Sequence, residues 1–201
     1  MRGIVAIAAC VTSLASHAFA QTTAFTLAGG VALPSGGAQG VGSDFKTSYG
    51  YGFIVGAGVA RNLSPALALG IALDYARFGI DEAGYLDGGT GSVSGGEQSI
   101  LTLGLELRYT IAGGTAPAAP YVIAGVSAMK LADVSIATTS PNAFEETKLS
   151  RDGLAQDVGL NLGAGIAFGP GRRFFVEARA VLGLYDQASY IPVRAGVSFA
   201  R

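Results

Sequence analysis

The feature that most constrains this chain is a two-residue alternation between bulky and very small side chains. From residue 49 to residue 60 the odd positions carry tyrosine, phenylalanine, valine or alanine, whereas the even positions carry mostly glycine. Segment 66–78 alternates in the same way after the sequence Asn62-Leu63-Ser64-Pro65. Successive side chains of a strand point to opposite faces, whereas a helix would scatter these two sets around its circumference. The stretch therefore predicts two strands joined by a tight turn.

The same alternation recurs along the chain and predicts eight strands. They span residues 23–33, 49–61, 66–78, 98–111, 120–131, 156–168, 173–184 and 190–199. Each has about the length that a tilted strand needs to cross a bilayer. The long connections are 34–48, 79–97 and 132–155, and the short ones are 62–65, 112–119, 169–172 and 185–189. Long loops at one end and short turns at the other are typical of outer-membrane barrels, although 185–189 is short where a long loop is expected.

Composition favours a membrane protein without membrane helices. The chain has 31 glycines, 50% hydrophobic residues and 13% charged residues. After residue 20 it contains no run of about eighteen uninterrupted apolar residues, which disfavours a spanning helix. An eight-stranded antiparallel up-and-down transmembrane β-barrel satisfies the backbone without such a helix. The net charge of −1 gives no support to nucleic-acid binding.

The first twenty residues are expected to be a signal peptide. Arg2 precedes an apolar run that is followed by Ala18-Phe19-Ala20, the small-x-small form of a signal-peptidase site. Lipoprotein cleavage before Cys10 is the alternative, but it would leave an apolar core of about six residues, shorter than signal peptides normally use. We therefore expect residues 1–20 to be removed and residues 21–201 to form one outer-membrane β-barrel domain. The mature chain would then hold no cysteine and no histidine.

The glycine- and alanine-rich face is expected to line the lumen. This face would make a poor solvated exterior, but it suits an eight-stranded barrel, whose interior is just wide enough for its own side chains. The bulky face would then contact lipid. Charged side chains on the small-residue face must be paired, because an isolated buried charge is very costly. The predicted structural lumen network comprises Asp74, Glu106, Arg108, Glu177, Arg179 and Arg194, with Asn161 on the same face.

Two other readings of polar residues follow from the sequence. Glu106 and Glu177 could instead form a catalytic acid-base pair, but neutralising arginines in a narrow lumen is the favoured interpretation. Loop 79–97 has no basic residue and is either a binding site for cations or cationic partners or merely a solvated loop. Its acidic residues are Asp81, Glu82, Asp87 and Glu97. The facing of Lys130 stays open, because its strand alternates weakly.

Aromatic residues near the predicted strand ends are expected to form girdles at the lipid headgroups. They are Tyr49, Tyr51, Tyr75, Phe78, Tyr109, Tyr121, Phe168, Phe174, Tyr185 and Phe199.

The chain resembles the small outer-membrane β-barrel family of Gram-negative bacteria. The resemblance rests on "AFTLAGGVALP" as a first strand, "APYVIAGVSAMKL" as a middle strand and "YIPVRAGVSF" as a closing strand, and it covers the mature chain. This family includes OmpA-type and OmpX-type barrels and many proteins labelled as porin-family proteins. Its closing strand usually ends on an aromatic residue that the outer-membrane insertion machinery reads, whereas here Ala200 and Arg201 follow Phe199.

The resemblance implies a cell-envelope protein of the outer membrane with both mature termini in the periplasm. We expect a monomeric, non-enzymatic protein with a structural or surface-interaction role through loops 34–48, 79–97 and 132–155, without cofactor, metal or nucleic acid. The expected partners are outer-membrane lipid, lipopolysaccharide, the insertion machinery and a surface partner bound by the loops. A narrow porin-like channel is the main alternative. A lipid-modifying enzyme, whose known families generally employ histidine, and a soluble lipocalin-like barrel are the others.

Overall fold

The computed structural model describes residues 23–36, 45–82, 92–111, 118–132, 135–139, 147–150, 155–185 and 188–200. In chain order its elements are β1 (Thr23–Gly36), α1 (Phe45–Ser48), β2 (Tyr49–Asn62), β3 (Leu67–Ile80), β4 (Ser92–Gly95), β5 (Gln98–Thr110), β6 (Ala118–Leu131), β7 (Ser135–Thr139), β8 (Thr147–Ser150), β9 (Ala155–Phe168), a 3₁₀ turn (Pro170–Arg172), β10 (Phe174–Gly183) and β11 (Ser189–Ala200). The signal-peptide prediction lies outside the described residues.

Eight of these strands close into a barrel in the order β1-β11-β10-β9-β6-β5-β3-β2. Every neighbouring pair is antiparallel, and β11 closes the barrel against β1. The predicted up-and-down barrel is therefore confirmed. The strand bounds differ most in β1, which continues to Gly36 rather than ending at residue 33.

Alternate residues of each barrel strand face the lumen and the outside. On β5 the outer face carries Leu101, Leu103, Leu105 and Leu107, which are 42–46% exposed, whereas Thr102 on the inner face is 3% exposed. The apolar face thus points outward, as the small-residue pattern predicts. Strand β6, whose facing the sequence left open, buries Met129 on its inner face and leaves Lys130 exposed on its outer face.

The two ends of the barrel differ in their connections. The turn end holds the connections 63–66, 111–117 and 169–173, together with the first and last described residues, Thr23 and Ala200. The other end, the loop end, holds the long connections. At the turn end the carbonyl of Leu67 accepts hydrogen bonds from the backbone N–H groups of Leu63 (2.8 Å) and Ser64 (3.0 Å). The predicted tight turn therefore closes on its own backbone.

The loop end contains structure that the alternation did not predict. Helix α1 lies in the first long connection, and β4, β7 and β8 form a separate antiparallel sheet in the order β4-β7-β8. These three strands are only four or five residues long and pair across two different loops. Their sequence is too short to establish a period. No helix within the described residues is long and apolar enough to span a membrane.

The girdle prediction is wrong for three of the ten aromatic residues, because their side chains lie inside the barrel. Tyr49 is 7% exposed, since a register shift between β2 and β3 at Tyr49–Gly52 breaks the alternation that places Tyr51 outside. Phe78 and Tyr121 are 0% and 2% exposed, because each shares the inward parity of its strand. The other seven are on the outside or half-buried.

A substitution at Gly165 on β9 would test how tightly side chains are packed in the lumen. A Cβ atom there would lie 2.5 Å from Cζ of Tyr121 and 2.8 Å from Cβ of Glu177. We expect Gly165→Ala to lower the free energy of unfolding by about 1–3 kcal/mol, because overpacking forces neighbours to move. Urea unfolding in micelles, followed by heat-modifiable gel mobility, measures this. The control Gly29→Ala meets nothing closer than 3.7 Å. An equal effect of both variants would contradict the packing argument.

Candidate functional site

Inward-facing charged side chains gather at mid-height in the barrel lumen. Glu177 and Arg194 stand directly opposite each other on β10 and β11, so the barrel register itself joins the first acid to the first base. The remaining charges come from β3, β5 and β10. We call the whole set the lumen network; its members are Asp74, Glu106, Arg108, Glu177, Arg179 and Arg194. The structure thus brings together all six residues that the sequence selected for the lumen.

Glu177 is the centre of the lumen network. Its Oε1 accepts hydrogen bonds from Nε of Arg179 at 2.8 Å and from Nε of Arg194 at 2.5 Å. Its Oε2 accepts a hydrogen bond from the hydroxyl of Tyr121 at 2.8 Å. The residue is 2% exposed, so these donors replace the water that the carboxylate loses.

Each of the two arginines also binds a second carboxylate. Nη1 of Arg179 donates to Glu106, and Nη1 of Arg194 donates to Asp74. The result is a continuous chain from Glu106 through Arg179, Glu177 and Arg194 to Asp74. All five residues are at most 9% exposed. Ions buried this deeply are tolerated only when their partners and hydrogen bonds are complete, which this chain of alternating charges provides.

Arg108 supplies the third positive charge and is held differently. Its Nη2 lies 3.9 Å from Oε2 of Glu177, and its side chain is 26% exposed. The guanidinium lies over the ring of Tyr121, 4.5 Å from the centroid, and 5.9 Å from the ring of Phe175. With Arg108 included, three carboxylates face three guanidinium groups, and the lumen network is formally neutral.

Uncharged polar side chains and one further acid complete the inner face. Asn161 accepts a hydrogen bond from Ser127 at 3.1 Å. Asp157 was not predicted as a lumen residue, although its parity on β9 matches that of Asn161. It is 3% exposed and accepts a hydrogen bond from the backbone N–H of Tyr185 at 3.1 Å. Asp157 thereby ties β9 to the connection after β10.

An apolar cluster fills the lumen on the loop-end side of the lumen network. Phe45 of α1 packs against Tyr49 and Phe78, with centroid separations of 4.9 and 5.1 Å. Phe78 in turn contacts Tyr190 at 5.7 Å. We call this set the apolar plug; its members are Ala32, Phe45, Tyr49, Ile54, Ala76, Phe78, Ile100, Met129, Leu131, Val181, Ala188 and Tyr190.

The lumen is open on the turn-end side of the lumen network. A cavity of about 30 Å³, enough for a few water molecules, lies between small residues of β1, β2 and β3 and the charged wall. Gly56, Gly58 and Gly70 form part of the small-residue wall, and Arg108 and Phe175 part of the other. Described side chains therefore leave room for water at one end of the lumen and fill the other.

The predicted acidic loop is only partly described and is not uniformly acidic in space. Glu97 forms an exposed salt bridge with Arg77 of β3. The backbone N–H of Asp81 donates to the carbonyl of Ser48 at 2.8 Å, and Glu82 is exposed. Asp87 lies outside the described residues. Among the described ranges, no three histidine, cysteine or acidic side chains are grouped so as to hold a metal ion.

The contacts of Glu106 and Glu177 in the lumen do not resemble those of a catalytic acid-base pair. Glu106 and Glu177 both bind Arg179 rather than each other. The Oε1 atom of Glu177 is shared by two guanidinium groups and its Oε2 atom receives a phenol hydroxyl. The geometry is that of charge neutralisation, because the carboxylate oxygens of Glu177 are already engaged by the protein.

The chain matches the family described as outer membrane protein beta-barrel domain over residues 6–199. No protein with a curated description matches it in sequence. Among solved structures, the N-terminal β-barrel domain of Pseudomonas aeruginosa OprF is similar at 17% identity and a TM-score of 0.48, covering 89% of this chain and 97% of that one.

Two further solved structures are similar to the same degree. Neisserial surface protein A matches at 14% identity and a TM-score of 0.48, covering 91% of this chain and 98% of that one. OprG of Pseudomonas aeruginosa matches at 13% identity and a TM-score of 0.48, covering 88% of this chain and 95% of that one. At such low similarity these structures give no indication of function.

Removing the charge of Glu177 should be strongly destabilising. Glu177→Gln leaves two buried guanidinium groups without their shared carboxylate, and breaking a buried ion pair on one side costs about 3–5 kcal/mol. Urea unfolding in micelles gives the change in the free energy of unfolding.

Glu97→Gln is the matched control for Glu177→Gln. Its salt bridge with Arg77 is exposed, with side chains that are 57% and 44% accessible. Such a pair contributes about 0–1 kcal/mol. If both variants lost the same stability, the lumen network would not be the stabilising element.

Proposed function

Because the chain belongs to the outer membrane protein β-barrel domain family, we propose that this outer-membrane β-barrel is non-enzymatic and non-conducting, and that it presents its loops to a surface partner. One observation carries the proposal. The lumen network and the apolar plug block the barrel interior from mid-height to the loop end, while the long loops form a second sheet of their own. The interior is therefore structural, and the surface that a partner could reach lies in the loops.

The packing of the lumen supports a non-conducting barrel. At mid-height the hydrogen-bonded chain through Glu177 occupies the centre of the lumen. Beyond it the apolar plug closes the loop-end side, and Phe45 is inserted from α1 rather than from the barrel wall. Ions crossing this path would have to displace paired charges and then enter an apolar region, which is unfavourable.

The composition of the chain supports a non-enzymatic role. Its only histidine is His17 and its only cysteine is Cys10, and both precede residue 21. If residues 1–20 are removed, neither a Ser-His nor a Cys-His nucleophile remains. The two carboxylates considered for acid-base chemistry are both bound to Arg179.

We propose that the turn end faces the periplasm and the loop end faces outward. Outer-membrane barrels carry short turns on the periplasmic side and longer loops outside. In this orientation both mature termini are periplasmic, since Thr23 and Ala200 lie at the turn end. The partners of a monomer would be outer-membrane lipid, lipopolysaccharide, the insertion machinery and a surface partner that binds the loops.

The sheet of β4, β7 and β8 is the proposed binding element. It joins loop 79–97 to loop 132–155 through the pairing of β4 with β7. A paired sheet fixes the relative position of two loops that would otherwise be independent. Functional residues commonly lie on loops that a rigid scaffold positions, and the closed barrel is such a scaffold.

Deleting residues 81–96 tests the binding role of the loops. The deletion removes β4 and most of the acidic loop but no barrel strand. We expect two quantities to fall: the adhesion of expressing cells to surfaces and the binding of cations by the protein. Heat-modifiable gel mobility should stay unchanged. A variant in which 81–96 is shuffled keeps the charge and length and is the matched control for the β4–β7 pairing. Unchanged binding after the deletion would remove the loop role and leave the fold intact.

Planar-bilayer recording tests the closed lumen. The folded protein should give no steady, large single-channel steps, because the lumen network and the apolar plug fill its path. The same preparation after heat denaturation controls for leakage by detergent or aggregates. Steady large steps from folded protein alone would contradict a non-conducting barrel and favour the porin-like alternative.

A further inference from the structure

Charges outside the lumen are divided unequally between the two ends of the barrel. Loops 34–48, 79–97 and 132–155 hold nine acidic and three basic residues. At the turn end the described residues outside the lumen hold three arginines and no acid, and residues 112–117 are uncharged in the sequence. The turn end therefore presents positive charge to whatever surrounds it.

The three turn-end arginines lie on an arc that spans five of the eight barrel strands, with Arg61 at one end and Arg172 and Arg173 at the other. Arg61 ends the outer face of β2, opposite Thr23 of β1. Arg172 and Arg173 occupy the connection between β9 and β10. Along the barrel, the strands from β2 through β1, β11 and β10 to β9 are consecutive neighbours. The opposite arc of β3, β5 and β6 carries no charged residue in its turn-end connections.

Outward phenylalanines lie on the same arc. Phe25 and Phe199 are direct cross-strand partners and are 53% and 54% exposed. Phe168 and Phe174 stand opposite each other on β9 and β10, with ring centroids 6.1 Å apart. Aromatic residues beside the end of a membrane strand are typical of the headgroup level of a bilayer. The arginines that adjoin these rings are thus placed near lipid headgroups rather than in bulk water.

The backbone of the β9–β10 connection holds its arginines in a defined place. Arg172 has φ 55°, a left-handed conformation that is unfavourable for a residue with a Cβ atom. Its N–H donates to the carbonyl of Gly169 at 2.9 Å. The carbonyl of Arg173 accepts from the N–H of Ser198 on β11 at 2.6 Å. A left-handed backbone at an arginine, in a turn that is hydrogen-bonded to β11, is the kind of outlier that often marks a functional residue.

We propose that this arginine arc, made of Arg61, Arg172 and Arg173 beside the four phenylalanines, binds the phosphate groups of anionic phospholipids. Guanidinium groups bind phosphate oxygens through paired N–H donors, and the adjacent apolar face receives acyl chains. A phospholipid satisfies both surfaces at once, whereas an acidic soluble partner would leave the phenylalanines unused. In the proposed orientation these phospholipids belong to the periplasmic leaflet. The binding of phosphate groups by the arginine arc does not depend on that orientation.

The absence of tryptophan from the chain allows a local test. Phe174→Trp places a fluorescent reporter in the arc, and Tyr109→Trp places one on the outer face of β5, on the opposite arc. The protein is inserted into phosphatidylcholine vesicles containing phosphatidylglycerol, with one lipid or the other brominated as a quencher. The ratio of quenching efficiencies gives the relative affinity of each lipid beside each reporter.

We expect phosphatidylglycerol to be preferred by about fivefold or more at the Phe174→Trp reporter, since each basic residue near an anionic lipid surface contributes about a fivefold gain. At the Tyr109→Trp reporter, which lies on β5 two strands from Arg61 and farther from Arg172 and Arg173, the preference should be clearly smaller. Adding R61Q, R172G and R173Q should abolish the preference in the arc, whereas K46Q, R77Q and K130Q at the loop end should not. High salt should weaken the preference as well.

Equal quenching by both lipids at both reporters would overturn the proposal, and so would a preference that survives the loss of all three arginines. Arg173→Gln alone, at an exposed position, serves if the triple variant fails to insert, and it should lower the preference in the same direction. No change in that variant would also overturn the proposal. Loop binding and conductance are measured separately, so either result can fail without the other.

Discussion

The structure depends on the neutralisation of buried charge inside a narrow barrel. Glu177 binds Arg179 and Arg194 through one oxygen, and these arginines carry the connection to Glu106 and Asp74. The five residues come from β3, β5, β10 and β11, so the chain of ions braces strands that are far apart in sequence. Removing any one member would leave a charged partner buried and unpaired, which is strongly destabilising.

The lumen is therefore divided into three regions with different chemistry. The apolar plug is a small hydrophobic core of the kind found in soluble proteins, placed inside a barrel whose outer face is apolar too. The lumen network separates it from a cavity at the turn end. The many inward-facing glycines leave space for the long arginine and aromatic side chains that reach across the lumen. Tyr121 occupies such a space beside Gly165.

The outside of the barrel is divided in a different way. The loop end is acidic in sequence and carries its own sheet, whereas the turn end is basic and flanked by phenylalanine. A barrel blocked at mid-height separates these two surfaces, so the proposed loop binding and the proposed lipid binding can vary independently. The lumen network contributes little to either surface, since its three acids and three arginines cancel.

The sequence by itself determined the barrel, its strand order and the inward face that holds Asp74 and Glu177, because a two-residue period follows directly from strand geometry. The same parity places Asp157 inside, whereas the weak alternation of β6 left the facing of Tyr121 to the structure. Only the tertiary structure decided that Tyr49 turns inward at a register shift, that Phe45 enters the lumen from a loop, and that β4 pairs with β7. Each of these depends on contacts between segments distant in sequence, where no local period exists to be read.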